Sequence, residues 1–194
     1  MPLWKKTDTA TASGKPNWLT RAASGVGRLE DCYATNRGWV LKHATSAGTR
    51  EELLVPIRNL AGTQTATDTL AAASIGAVYF TGAVSGGSGG SVTVVYNEKV
   101  NVTSGATIAV KKNGGGNITA TAAAQTGVNK VVFAISNGDV AQNNTLTIED
   151  QTMGGGNKIK DNLDTSRNSE KVIDISEHGV GVGGSGDFAT ITVT

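Results

Sequence analysis

The residue types that most often catalyse reactions are scarce in this chain. Its 194 residues include two histidines, His43 and His178, and a single cysteine, Cys32. His43 ends a strand-like run and His178 lies in a loop-like segment, and neither has a second histidine or a cysteine at the spacing of metal ligands. Serine is common, but no G-x-S-x-G turn has the flanking strand and helix that a nucleophile requires. The sequence therefore predicts that the chain is not an enzyme.

One glycine motif resembles a nucleotide-binding turn. Gly179, Gly181 and Gly184 spell G-x-G-x-x-G. In a dinucleotide-binding fold this turn leads from a strand into a helix, whose N-terminus holds the pyrophosphate. Here it leads into the strand-like run DFATITVT, so we interpret it as a loop between the last two strands. The sequence predicts no cofactor.

Five side chains with oxygen atoms lie near the ends of predicted strands, where β-sandwich modules often bind calcium. The run DNLD at 161–164 lacks the D-x-D-x-D-G spacing of a dedicated calcium loop. We therefore interpret these side chains as solvated turn residues and predict no metal site. They are Asn97, Glu98, Asp150, Asp161 and Asp164.

The elements that would position such residues are strands. In the run SVTVVYNEKV at 91–100, Val92, Val94 and Tyr96 alternate with mostly polar residues, which predicts a half-buried strand. Short alternating runs, with turn signals about every 8–12 residues, are typical of an antiparallel sandwich with Greek-key connections. The other runs lie at 74–83, 106–112, 117–124, 130–136, 145–150, 171–176 and 187–194. The predicted inward-facing residues are Val92, Val94, Tyr96, Ile108, Val110, Val131, Phe133, Ile135, Leu146, Ile148, Ile191 and Val193.

The N-terminal part has a different pattern. The runs 38–43 and 51–60 predict a β-hairpin with Gly48 at its turn, and Pro56 assigns the second strand to a sheet edge or a bulge. Residues 1–37 show no sustained period and predict an extended arm. Trp4 and Trp18 in this arm each have a large apolar surface to bury. Two alternatives stay open: they fold back onto the chain's own sheet, or they anchor the arm in a neighbouring subunit.

Charge and hydropathy exclude several classes of partner. Residues 1–60 contain nine Lys and Arg against five Asp and Glu, a balance of +4, whereas residues 61–194 contain eight against eleven, a balance of −3. No basic run is interleaved with aromatic residues, so we predict no nucleic-acid partner. The N-terminus lacks the apolar stretch of a signal peptide, and no run approaches the length of a membrane span. We expect synthesis in a cytoplasm, no membrane partner, and no internal disulfide at Cys32.

The first sixty residues resemble the opening of a family of small virion structural proteins from tailed bacteriophages, especially T4-like phages of marine cyanobacteria. The shared features are an M-P-L-W start, a P-x-W-L segment, the run C-x-A-T-x-R-G-W-V, and a hairpin that ends in an apolar strand. Residues 74–194 are similar to Ig-like adhesion-type repeats. There Tyr96 and Asn97 occupy the F-x positions of V-T-F-x-E-x-V-x-V, and Ile159 and Asp161 match a later G-x-I-x-D.

These resemblances imply an all-β, non-enzymatic virion protein with two parts. Residues 1–72 would be an arm with a β-hairpin that attaches to the capsid, and residues 73–194 an Ig-like β-sandwich. The implied function is a capsid decoration or cement protein on the virion surface, present in many copies and bound to the major capsid protein and to neighbouring copies of itself. We predict partner contacts at Trp4, Trp18, Trp39 and Arg21. The alternative is an adhesive module on a neck, tail or fibre that binds host-surface glycan.

Overall fold

The computed structural model describes residues 29–62, 70, 72–81, 90–136, 140–178 and 190–192. Three of the predicted partner-binding residues, Trp4, Trp18 and Arg21, lie outside these residues, and so does the glycine motif at 179–184. Within the described ranges, no helix has the length and apolar content to span a membrane.

The described residues are almost entirely strand. A 3-10 turn (Leu29–Asp31) precedes the first strand, and one four-residue helix, α1, spans Ile175–His178. The strands are β1 (Cys32–Thr35), β2 (Gly38–Thr45), β3 (Gly48–Pro56), β4 (Ile75–Thr81), β5 (Ser91–Val102), β6 (Ala106–Lys112), β7 (Asn117–Ala122), β8 (Gln125–Ile135), β9 (Thr145–Thr147), β10 (Gln151–Thr152), β11 (Ile159–Asp161), β12 (Val172–Ile173) and β13 (Thr190–Thr192).

Strand β5 is the hub of the sheet. It pairs antiparallel with β8, β4 and β11, and it pairs parallel with β1 at Ala34 and Glu98. From β8 the sheet continues through β7, β6 and β9 to β13, and from β1 it continues through β2 to β3. Strands β10 and β12 form a separate two-stranded sheet. The chain therefore has an all-β, sandwich-like fold, as the sequence predicts.

Buried apolar residues form two clusters. The larger one lies among β4–β9 and includes the predicted inward residues Val92, Phe133 and Leu146, together with Met153 and Ile173. The smaller one belongs to β1, β2 and the segment after β3, and it contains Cys32, Ala34, Trp39, Leu41, Leu60, Ala61 and Leu70. The smaller cluster ends at Leu70 and the larger one begins at Ala73, close to the predicted domain boundary at residue 72. Strand β1 nevertheless belongs to the same sheet as β5. We call β1–β3 with their cluster the hairpin unit (residues 32–62 and 70), and β4–β13 the body.

Most predicted inward residues are buried. Val92, Val94, Tyr96, Ile108, Val110, Val131, Phe133, Ile135, Leu146 and Ile148 are all in the core. The side chains of Ile191 and Val193 lie outside the described residues.

Two expectations drawn from the sequence are wrong. The predicted arm extends to residue 37, but Cys32–Thr35 forms β1, which is buried between β2 and β5. The prediction failed because a four-residue strand is too short to show a period. Strand β5 is also buried on both faces, since Thr93 and Val95 on its second face are as inaccessible as Val94. A strand that has several neighbours at the centre of a fold does not keep the one-sided burial of an outer strand.

Candidate functional site

A cleft of about 370 Å³ opens where the hairpin unit meets the body. The β1–β2 turn and β3 form one wall, and β5 together with the loop after β11 forms the other. We call this the junction cleft. Its lining residues are Ala34, Thr35, Asn36, Arg37, Glu51, Ala61, Glu98, Lys99, Asn162 and Leu163.

The cleft exists because β5 departs from regular pairing. Strand β5 pairs with β8 up to Val95 and resumes at Val100, so that four residues of β5 lie opposite a single residue of β8. A bulge of this kind redirects side chains and leaves room beside the strand. Strand β1 enters at this point and pairs with Glu98. Nearby, Lys130 on β8 donates to Asp31 at 2.6 Å, which helps to hold the hairpin unit against the body.

Three side chains form a polar group on the wall of the cleft. The Tyr33 hydroxyl donates to Oε1 of Glu51, and Lys99 Nζ donates to the same oxygen at 3.0 Å. Lys99 Nζ also lies 4.9 Å from the centre of the Tyr33 ring, within the range of a cation–π contact. The hydrogen bond from Tyr33 lowers the pKa of Glu51, whereas burial raises the pKa of the Tyr33 hydroxyl. Glu51 is therefore an ionised acceptor that already has two donors.

Glu98 is the most unusual residue of the cleft. Its side chain is 2% exposed, and its Oε1 has no hydrogen-bond partner. Burial raises the pKa of Glu98 to about 8, with a further contribution from the negative charge of Asp161 and an opposing one from Arg167. Below that pH the carboxyl group is neutral, so it can donate one hydrogen bond and accept others.

The loop after β11 supports the carboxylate of Asp161. Asp161 Oδ1 accepts the backbone N–H groups of Leu163 at 2.7 Å and Asp164 at 3.1 Å. Asp164 in turn pairs with Arg167 Nε at 3.1 Å, and the hydrogen bonds from Ser166 lower the pKa of Asp164. These carboxylates are therefore already occupied within their own turn.

The five residues considered for calcium divide between three places. Glu98 and Asp161 come close enough for their charges to interact, and Asp164 belongs to the same turn as Asp161. Asn97 instead accepts the backbone N–H of Ser74, and Asp150 accepts that of Ile175. In the part of the chain that the structure describes, no three His, Cys, Asp or Glu side chains form a group that could hold a metal ion. The interpretation as solvated side chains is wrong for Asn97, Glu98 and Asp161, which are buried.

Trp39 and the two histidines, which the sequence analysis considered, contact other residues of the same chain. Trp39 is 3% exposed and packs in the cluster of the hairpin unit, so its indole is covered by its own chain. His43 Nε2 lies 2.8 Å from Glu52 across the hairpin. His178 is buried at the end of α1, where its Nδ1 accepts the N–H of Asp174 at 3.2 Å. Cys32 is buried and is not part of a disulfide. The partner contacts predicted for Trp4, Trp18, Trp39 and Arg21 stay predictions.

Sequence reasoning did not identify Arg37, Glu51, Lys99 and Asn162 as neighbours. They come from four separate segments that the pairings of β1 and β11 with β5 bring together, and no spacing in the sequence signals those pairings. Comparison of the chain with protein-family models, with curated proteins and with solved structures gave no match in any of the three.

Proposed function

We propose that the chain is a structural protein of a tailed-phage virion, acting as a capsid decoration protein. Residues 1–72 would bind the major capsid protein and neighbouring copies, and the body would face outward. The proposal begins from the resemblance of the first sixty residues to small virion proteins. The observation that carries it is the shape of the hairpin unit, which offers a binding surface attached to a separate core.

The base of the hairpin is buried and its tip is exposed. Residues 38–41 of β2 are buried in the cluster of the hairpin unit, whereas most residues from Lys42 to Glu52 are exposed on both faces. At ~3.4 Å per residue, the exposed part of each strand extends roughly 14 Å beyond the cluster, and within it Glu51 of β3 still contacts Tyr33 and Lys99. Strand β3 ends the sheet within the described residues, and its exposed face carries Leu53, which is 41% exposed. Such an edge can contact another protein without any change in the core.

The experiment is quantitative mass spectrometry of purified particles from cells that produce the chain, followed by image reconstruction. We expect a fixed ratio of this chain to the major capsid protein and density for the body on the outer surface of the shell. A chain that is absent from the shell would contradict the proposal.

A variant tests the role of the hairpin. We expect Leu53→Asp to reduce binding of the full chain to particles that lack it by at least about tenfold, because it places a charge on the contact surface. Val132→Asp is the matched control, since Val132 is 43% exposed on a strand of the body. Equal binding by the two variants would exclude the hairpin as the attachment surface.

A second function is favoured by the polar lining of the junction cleft. In this alternative the chain is an adhesive module of a neck, tail or fibre, and its sandwich binds host-surface glycan. It predicts a few copies per particle at one end of the virion, so the same copy-number measurement separates it from the decoration function.

A further inference from the structure

The junction cleft has the features of a ligand-binding site. Glu98 lines the cleft, and Oε1 of its buried carboxyl group has no hydrogen-bond partner in the protein. An unpaired buried polar atom is costly, and native structures retain few of them without a functional or structural reason. Its volume of about 370 Å³ lies at the small end of the range for ligand pockets.

The charges that face the cleft favour an anionic ligand. Arg37 and Lys99 are the cations of its lining, and Glu51 is the ionised acid. Lys99 pairs with Oε1 of Glu51, the neutral Tyr33 hydroxyl donates to the same oxygen, and the positive charge of Arg37 also helps to lower the pKa of Glu51. Glu98 is neutral below its pKa of about 8, so the lining then has a net charge of +1 from these four groups. A cation would meet two cations and a single carboxylate that Lys99 already pairs, whereas a carboxylate would find a guanidinium and a neutral acid.

The rest of the lining suits hydroxyl groups. Asn36 and Asn162 each offer an amide that can both donate and accept, and Ala61 and Leu163 provide a small apolar rim. A compact ligand with one carboxylate, several hydroxyls and a small apolar face matches this set.

We infer that the junction cleft binds a sugar acid, with the carboxylate of the ligand placed between Arg37 and Glu98 and its hydroxyls facing Asn36 and Asn162. Arg37 supplies a bidentate cation for the carboxylate, and the neutral Glu98 donates to it. The inference does not depend on attachment to a capsid, because the cleft belongs to a single chain.

The test is a titration of the full chain with sodium D-glucuronate, followed by the NMR shifts of backbone amides. We expect saturable shifts at residues 34–37, 98–99 and 162–163, with a dissociation constant of roughly millimolar strength. Methyl glucoside lacks the carboxylate, acetate lacks the hydroxyls, and a blocked aspartate amide represents an acidic peptide side chain. If any of these three binds as tightly as glucuronate, or if the shifts lie outside the cleft, the assignment is overturned.

Two variants test whether Arg37 and Glu98 contact the ligand or only support the structure of the cleft. We expect Arg37→Gln to weaken glucuronate binding at least about tenfold, and Arg50→Gln, an exposed arginine outside the cleft, to leave it unchanged. Since the pKa of Glu98 is about 8, binding by the parent should weaken between pH 6 and pH 9, as Glu98 gains a negative charge beside Asp161 that the positive charge of Arg167 offsets only in part. Glu98→Gln stays neutral and should bind equally at both pH values. An unchanged affinity of Arg37→Gln, or the same pH dependence in Glu98→Gln, would reject the site.

Discussion

At the scale of single residues, Glu98 is buried although its position in the sequence indicates a solvated side chain. It follows Asn97 near a predicted strand end, where a carboxylate is normally solvated. The bulge in β5 and the entry of β1 enclose it instead, and they leave Oε1 without a partner. No local pattern reveals this, because the residues that exclude water from Glu98 come from distant segments.

This burial gives stability a definite dependence on pH. Folding raises the pKa of Glu98 from 4.5 to about 8, so between these values the folded state keeps a proton that the unfolded state has lost. The contribution of Glu98 is therefore fully present below pH 4.5 and is lost as the pH rises towards 8. This difference between the two pKa values corresponds to a loss of at most about 5 kcal/mol of unfolding free energy.

We expect Glu98→Gln to remove this loss. The variant should unfold like the parent at pH 5 and be more stable than the parent at pH 8.5 by about 2–5 kcal/mol, because it has no charge to bury. Urea unfolding at the two pH values measures this difference. Glu149→Gln, which breaks an exposed pair with Lys111, is the control and should change stability by less than about 1 kcal/mol. If Glu98→Gln lost as much unfolding free energy as the parent between pH 5 and pH 8.5, Glu98 would not be the group that causes the pH dependence.

At the scale of elements, turn residues and alternation predicted the longer strands well. The run 106–112 is β6 with the same bounds, and the hairpin at 38–60 is β2 and β3, with β3 at the end of the sheet as Pro56 indicates. Strands β10 and β11 were missed because two or three residues cannot show a period. The predicted strand at 171–176 is divided between β12 and α1, since Asp174 and Asp150 accept the first N–H groups of the helical turn, those of Ser176 and Ile175.

Two glycines of the hairpin allow a matched test of its geometry. Gly38 and Gly48 both have positive φ, of 125° and 120°. A Cβ on Gly38 would meet the Val55 carbonyl of β3 and the backbone nitrogen of Ile57 just after it, whereas a Cβ on Gly48 would meet nothing within 4 Å.

We therefore expect Gly38→Ala to cost more than about 2 kcal/mol of unfolding free energy and Gly48→Ala about 1 kcal/mol. Both variants carry the cost of an alanine at positive φ, so the difference isolates the steric contact. Thermal unfolding of the two proteins measures it. Equal losses would mean that β3 moves freely away from β2.

At the scale of the whole molecule, the all-β class follows from composition and alternation, but the way the two units join does not. The junction has one parallel residue pair between β1 and β5, the ion pairs of Asp31 with Lys130 and of Glu51 with Lys99, and a hydrogen bond from Asn129 to the Glu30 carbonyl at 3.2 Å. These contacts depend on the order in which strands lie in space, and the sequence pattern carries no information on that order.

The separate clusters predict that the hairpin unit opens before the body. We expect backbone amides of β5 and β8, such as those of Val94 and Val131, to exchange with solvent more slowly than those of β2. Asp31→Asn should accelerate exchange in the hairpin unit alone, because it weakens the junction. Glu149→Gln, which breaks a pair of equal length within the body, should leave the hairpin unit unchanged. Uniform exchange across both units would show that they unfold together.

The parallel pairing of Ala34 with Glu98 also affects the order in which the strands can pair during translation. Strands β2 and β3 need only the two-residue turn at Ser46 and Ala47 and can pair as soon as they leave the ribosome. Strand β1 must wait until β5 has been synthesised before its outer edge is covered. During that interval the nascent hairpin exposes an unpaired edge, which is the stage at which a chaperone, or a wrong partner, has access to it.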